Sequence, residues 1–155
     1  MAIELNVAAK RHRLLPWRAV KKHIIGERFH VSIALVSEYE MRRVRRVLRR
    51  GKKYRFGPRH ALNVLSFLLD KNSGEILLGK DQIQKEAKRY KQSFHARLLY
   101  LYIHGLLHLK GYDHQSVKEE KRMRREEEKF FDRFYKNISS KRKIKSLKPK
   151  RKTQR

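Results

Sequence analysis

The sequence predicts an α+β domain in which a small mixed β-sheet packs with helices around one buried central helix. Three observations carry this. Strand-like and helix-like segments interleave along the chain without an internal repeat. The stretch Phe94 to Leu109 has the length of a helix and is apolar almost all round, which leaves it no solvent face. The chain is 155 residues long and 39% hydrophobic, enough for a single core and too apolar for wholesale disorder.

The elements follow in order. Ile3, Leu5 and Val7 alternate, as a half-buried strand does. Leu14 to Ile25 reads as a helix with Pro16 tolerated in its first turn. Val31 to Val36 is apolar on both faces and suits a central strand. The helix expected over Glu38 to Arg50 puts Met41, Val44 and Leu48 on one face and Arg42, Arg45, Arg46 and Arg49 on another, with Gly51 as its stop. Leu62 to Leu69 reads as a buried strand that turns through Asp70 to Gly74 into a second strand at Glu75 to Leu78. Asp81 followed by Gln84 has the spacing of a helix start, and that helix is expected to run to Lys91. The central helix then ends at Gly111. Ser116 and Glu119 have capping-box spacing and open a charged helix to about Tyr135, with Met123, Phe130, Phe131 and Phe134 turned inward. Residues 1–136 are thus expected to form the domain, and 137–155 a basic disordered tail with almost nothing to bury.

The formal charge is +27 and unevenly spread. Met41 to His60 holds ten Lys or Arg and no acid, and Lys136 to Arg155 holds ten more, again with no acid. Thermophile surfaces mix both signs in networks, whereas acid-free blocks suit polyanions whose counterions they displace. Nucleic acid is favoured over anionic lipid, because no strongly apolar helix face accompanies the basic one. There is no cysteine, which excludes disulfide-linked partners and thiolate metal sites. No apolar run reaches the ~18 residues of a membrane span, and the first residues lack the order of a secretion signal. A cytoplasmic location is expected.

The segment from His104 to His114 carries the chemistry. His104 and His108 lie four apart and project from one helix face, one turn apart. Gly111 can adopt the positive φ that turns the chain back and brings His114 to the same point. Random placement of eight histidines would yield only ~0.02 such triplets. Two unpaired imidazoles on the most apolar helix would be costly. Three imidazoles with a fourth position open is the arrangement of a catalytic zinc site, and other divalent transition metals suit it as well. The spacing is that of metzincin metalloproteases, but Gly105 stands where those enzymes carry their Glu base. Asp113 either orients a ligand histidine or caps the turn.

His104-Gly105, His108-Leu109 and Gly111-Tyr112-Asp113-His114 together resemble the signature of the YbeY-type endoribonucleases. The resemblance extends to Asn63-Val64-Leu65-Ser66-Phe67, Gly74-Glu75-Ile76, Glu86-Ala87, Met123 and Glu127, and so to residues 3–135. Leu62 and Leu68 depart from the Thr and Pro usual in the family's strand motif. The resemblance implies a metalloprotease-like fold and a metal-dependent endoribonuclease specific for single strands. It further implies action in 3′-end maturation of small-subunit rRNA and in ribosome quality control, with RNA and the ribosome as partners. One zinc-type ion per chain would sit on His104, His108 and His114. The family's functional arginine maps best to Arg55 of Tyr54-Arg55, one residue off the usual spacing, with Arg49 and Arg59 as alternatives. Arg42, Arg45, Arg46, Arg49, Lys52, Lys53 and Arg59 are expected to hold the RNA backbone. Two other classes are a peptidase-like metallohydrolase and a non-catalytic ribosome-assembly protein stapled by a structural metal.

Overall fold

The structure is a computed structural model that describes residues 3–51 and 62–146. Its elements are β1 (Ile3–Leu5), α1 (Val7–Lys10), α2 (Trp17–Ile25), β2 (His30–Val36), α3 (Glu38–Arg50), β3 (Val64–Asp70), β4 (Ser73–Gly79), α4 (Lys80–Arg89), α5 (Phe94–Lys110) and α6 (Val117–Ser146). Four strands form one mixed sheet in the order β1-β2-β4-β3. β1, β2 and β4 run parallel, and β3 is antiparallel to β4. The α+β class and the mixed sheet are as the sequence predicts.

Alternation along the strands separates two apolar faces. Val31, Ile33, Leu35, Ile76 and Leu78 face the main core, which α5 fills with Leu98, Leu99, Leu101, Tyr102, Ile103, Leu106 and Leu107. Burying each such leucine contributes ~1.5–3 kcal/mol, so this helix anchors the fold. On the opposite face Leu65 and Leu77 meet Met41 of α3. α5 sits unusually close to the sheet at Gly105, where an added Cβ would lie 3.1 Å from Ile76 and 3.4 Å from Val64. Asn6 ties the N-terminal edge down. Its side chain accepts from Ala9 N–H to cap α1 and exchanges two further bonds with the Leu35 backbone.

Four differences from the sequence reading have physical causes. The first helix of any length starts at Trp17, because Pro16 occupies its N-cap with φ −80° and ψ 60°; the residues expected to extend the first strand form α1 instead. Asp81 caps no turn of its own helix. Its carboxylate accepts the Glu38 N–H at 2.7 Å, so it serves the first turn of α3, while α4 begins without a side-chain cap. β3 is an edge strand rather than a buried one, and Leu68 and Leu69 are 51% and 61% exposed. Finally, α6 does not stop near Tyr135 but continues to Ser146. Ile138 is 1% exposed and extends the buried stripe of Met123, Glu127, Phe130 and Phe134 by one turn. The first part of the expected tail is therefore helix, and its start is packed on the core. Residues 147–155 lie outside the described residues.

Candidate metal centre

The site is built by the end of α5 and its exit. Gly111 adopts φ +108°, which a residue with a side chain reaches only under strain. Its N–H donates to His108 O at 3.0 Å and the Tyr112 N–H to Leu107 O at 3.0 Å, the paired bonds of a Schellman motif. The chain reverses there, and the His114 ring comes to 5.0 Å from the His108 ring and 6.0 Å from the His104 ring, centroid to centroid. His104 and His108 are 4.6 Å apart. One ligand-capable nitrogen from each histidine lies within 4.8 Å of the other two. The Asp113 carboxylate accepts its neighbour's backbone N–H at 2.7 Å, so Asp113 caps the turn.

Hydrogen bonds from outside the triplet set the tautomers. Glu127 of α6 is 5% exposed, and its carboxylate accepts from His104 Nδ1 at 2.6 Å and from the Tyr100 hydroxyl at 2.5 Å. These two donors hold the Glu127 carboxyl below its usual range against the opposing effect of burial. A carboxylate can only accept, so the His104 proton stays on Nδ1 and its Nε2 keeps a free lone pair. Burial first, and then the neighbouring His104 and His114, push His108 down to about 4, so that it is neutral at pH 7. The two Nε2 atoms face each other at 3.0 Å. Two converging Nε2 atoms with a third imidazole beside them form a donor set that fits a transition-metal ion, zinc included.

Glu127 is the residue that motif reading passes over. It matched the last helix by family likeness alone, yet its signal is plain in the sequence: an acid inside the apolar stripe of α6. Gly105, where metzincins carry their base, faces Ile76 of β4, and a side chain there would require Ile76 and Val64 to give way by a few tenths of an ångström. Arg42, Arg45, Arg46 and Arg49 come together with Arg50 around an open cavity of about 490 Å³ on α3. Arg42 is tied to Glu38, whereas burial and the charges of Arg49 and Arg42 disfavour the ionised form of Arg45. Arg55, Lys52, Lys53 and Arg59 lie outside the described residues.

Helix, turn and backing carboxylate thus define an α+β protein in which three histidines are placed so that they could hold a metal ion. A family model described as endoribonuclease YbeY matches residues 6–135. The chain belongs to that family. It is 38% identical over 106 residues to the endoribonuclease YbeY of Buchnera aphidicola subsp. Schizaphis graminum, covering 64% of this chain and 63% of that protein. It is 35% identical over 109 residues to the namesake from Mycoplasmopsis synoviae, covering 64% and 66% respectively. The matches therefore span a little under two thirds of those two relatives. A solution structure from Thermotoga maritima superposes with a TM-score of 0.60 at 25% identity, covering 99% of both chains.

Proposed function

We propose that this chain is a metal-dependent endoribonuclease acting on single-stranded RNA, in 3′-end maturation of small-subunit rRNA and in ribosome quality control in the cytoplasm. The observation that carries the reading is the pair of Nε2 atoms of His104 and His108, 3.0 Å apart beside His114, within a YbeY-family chain. His104, His108 and His114 would hold one ion, zinc by preference. Such an ion supplies Lewis-acid polarisation of a phosphoryl oxygen and lowers the pKa of water to ~7.

The chain's own residues do the rest. Glu127 keeps the His104 proton on Nδ1, and Tyr100 holds the carboxylate's other oxygen, so the ligand ring cannot turn. Burial keeps His108 neutral and ready to ligate. Arg45, Arg46, Arg49 and Arg50 gather positive charge on α3 where an RNA backbone would relieve their mutual repulsion, Arg42 contributing less because of Glu38. Arg55 is proposed, on the sequence match, to stabilise charge developing on the scissile phosphate, with Lys52, Lys53 and Arg59 on the backbone. Residues 147–155, with Lys148, Lys150, Arg151, Lys152 and Arg155, are proposed as a basic extension that adds non-specific RNA affinity.

Among the described residues no helix is long and apolar enough to cross a membrane. Gly105, standing where a metzincin carries its glutamate base, disfavours a peptidase of that design. The test is incubation of the zinc-loaded protein with labelled single-stranded RNA and, separately, with casein, each with and without a chelator. Chelator-sensitive cleavage of the RNA alone is expected. Casein hydrolysis, or intact RNA, would refute the assignment.

A further inference from the structure

A cavity of about 270 Å³ opens beside the histidines, and His104, His114, Tyr100, Asn63, Arg97 and Arg124 are among the residues lining it. Its two arginines differ in kind. Arg124 lies on the surface of α6 with its side chain 66% exposed, paired with Glu120 at 3.2 Å. The Arg97 side chain is 15% exposed and fixed from three sides. Its Nε donates to Glu86 at 2.7 Å. Its guanidinium carbon lies 4.8 Å from the Tyr90 ring centroid and 4.9 Å from that of Tyr100. Glu86 is itself held, by Asn63 at 3.0 Å and Gln82 at 3.4 Å.

A guanidinium carries five N–H donors in a planar fork, of which the bond to Glu86 uses one. The terminal nitrogens have no hydrogen-bond partner among the described residues. An ion pair serving only to neutralise Glu86 would use the fork's paired edge on both carboxylate oxygens. Here a single bond anchors the stem side of the group, and two aromatic faces hold its plane. A fixed, partly desolvated cation next to a metal centre meets an anionic ligand without paying to order itself.

We propose that Arg97 is a further arginine, beyond Arg55, that receives an RNA phosphate in the cavity beside the histidines, held ready by Glu86, Tyr90 and Tyr100. This rests on the endoribonuclease reading above and adds to it a phosphate-binding group carried by the metal-binding helix itself.

The experiment compares Arg97→Met, Glu86→Gln, the double variant and Arg97→Lys with the parent, as full-length protein. Three quantities are read: the thermal midpoint, the salt dependence of binding to a short unstructured RNA in chelator, and zinc-dependent cleavage of the same RNA. Arg97→Met alone strands the Glu86 charge, which confounds folding with binding. The double variant removes both charges and should recover the parent's midpoint. Its turnover should nevertheless stay ~10²-fold low, as for loss of a donor to developing charge. Its slope of log K against log salt should be shallower by ~0.7, the effect of neutralising one phosphate on a single strand. Arg97→Lys keeps a cation opposite Glu86 but loses the fork, so turnover should fall while the midpoint holds. A double variant that matches the parent in slope and turnover overturns the proposal. Should that variant fail to fold, parent-level turnover in Arg97→Lys overturns it equally. If the parent itself leaves RNA intact, the endoribonuclease reading fails, and the salt slope in chelator still decides the role of Arg97.

Discussion

Replacing Glu127 by Gln tests whether a buried carboxylate prepares the metal centre. The substitution keeps shape and volume, so packing among Met123, Phe130 and the end of α5 should survive. What changes is the proton inventory. With its nitrogen toward His104, the new amide would donate to Nδ1 and move the ring proton to Nε2, where the lone pair is needed. With the amide reversed, the oxygen still accepts from Nδ1, but the negative charge that raises ligand basicity is gone. Either orientation should weaken metal binding ~10–100-fold, the range for partners behind a ligand histidine, or about 1.4–2.7 kcal/mol. The assay is a zinc titration against a chromophoric chelator, with thermal unfolding in excess chelator to confirm that both proteins fold. A Glu127→Gln protein that holds zinc within about two-fold of the parent would show that Glu127 only fills space, and the tautomer reasoning would fall.

Other predictions follow from the same geometry. Gly105→Glu would press a Cβ against Ile76 and Val64 and add a carboxylate to a helix face packed on the sheet, so it should cost ~1–3 kcal/mol in thermal unfolding and confer no casein hydrolysis; a well-folded peptidase would contradict the packing described. Ile138→Ala should cost ~2–4 kcal/mol because the side chain is buried in the main core. Truncation after Lys136 should lower the melting temperature, whereas truncation after Ser146 should leave it nearly unchanged; equal effects would mean that the extra turns of α6 carry no packing. Replacing Arg45, Arg46 and Arg49 together by Gln should make the salt slope of RNA binding shallower by about 2, at ~0.7 for each phosphate no longer neutralised, without changing metal content. An unchanged slope would remove α3 from the RNA path.

The features legible in the sequence are those that local chemistry decides. The apolar wrap of Phe94 to Leu109, the four-residue step from His104 to His108 and the turn at Gly111 each have one good structural solution, and the structure adopts it. The Ser116–Glu119 capping box forms as its spacing predicts. The features that were not legible depend on distant residues. Asp81 has the spacing of a cap for its own helix, but Glu38 N–H, brought near by the fold, is the donor it meets. Leu68 and Leu69 look buried in composition, yet β3 closes the edge of the sheet and leaves them in solvent. Ile138 sits in so basic a stretch that the charge masks the apolar stripe of α6. Glu127 stands out as an acid inside the apolar stripe of α6, but its partner His104 is set only when α6 lies across α5. The set of Glu86, Arg97, Tyr90 and Tyr100, of which only Glu86 is buried, spans two helices and the loop between them, and no spacing rule announces it.

Metal content and RNA cleavage measured on one gently purified sample bear most directly on the three-histidine centre. Elemental analysis should find about one divalent ion per chain, and the same sample should cut single-stranded RNA until a chelator is added. His108→Ala, in which a ligand is deleted but α5 remains, should fold, lose the ion and lose cleavage together. A folded His108→Ala protein that keeps a full complement of metal and cuts RNA as the parent does would contradict the assignment of the centre.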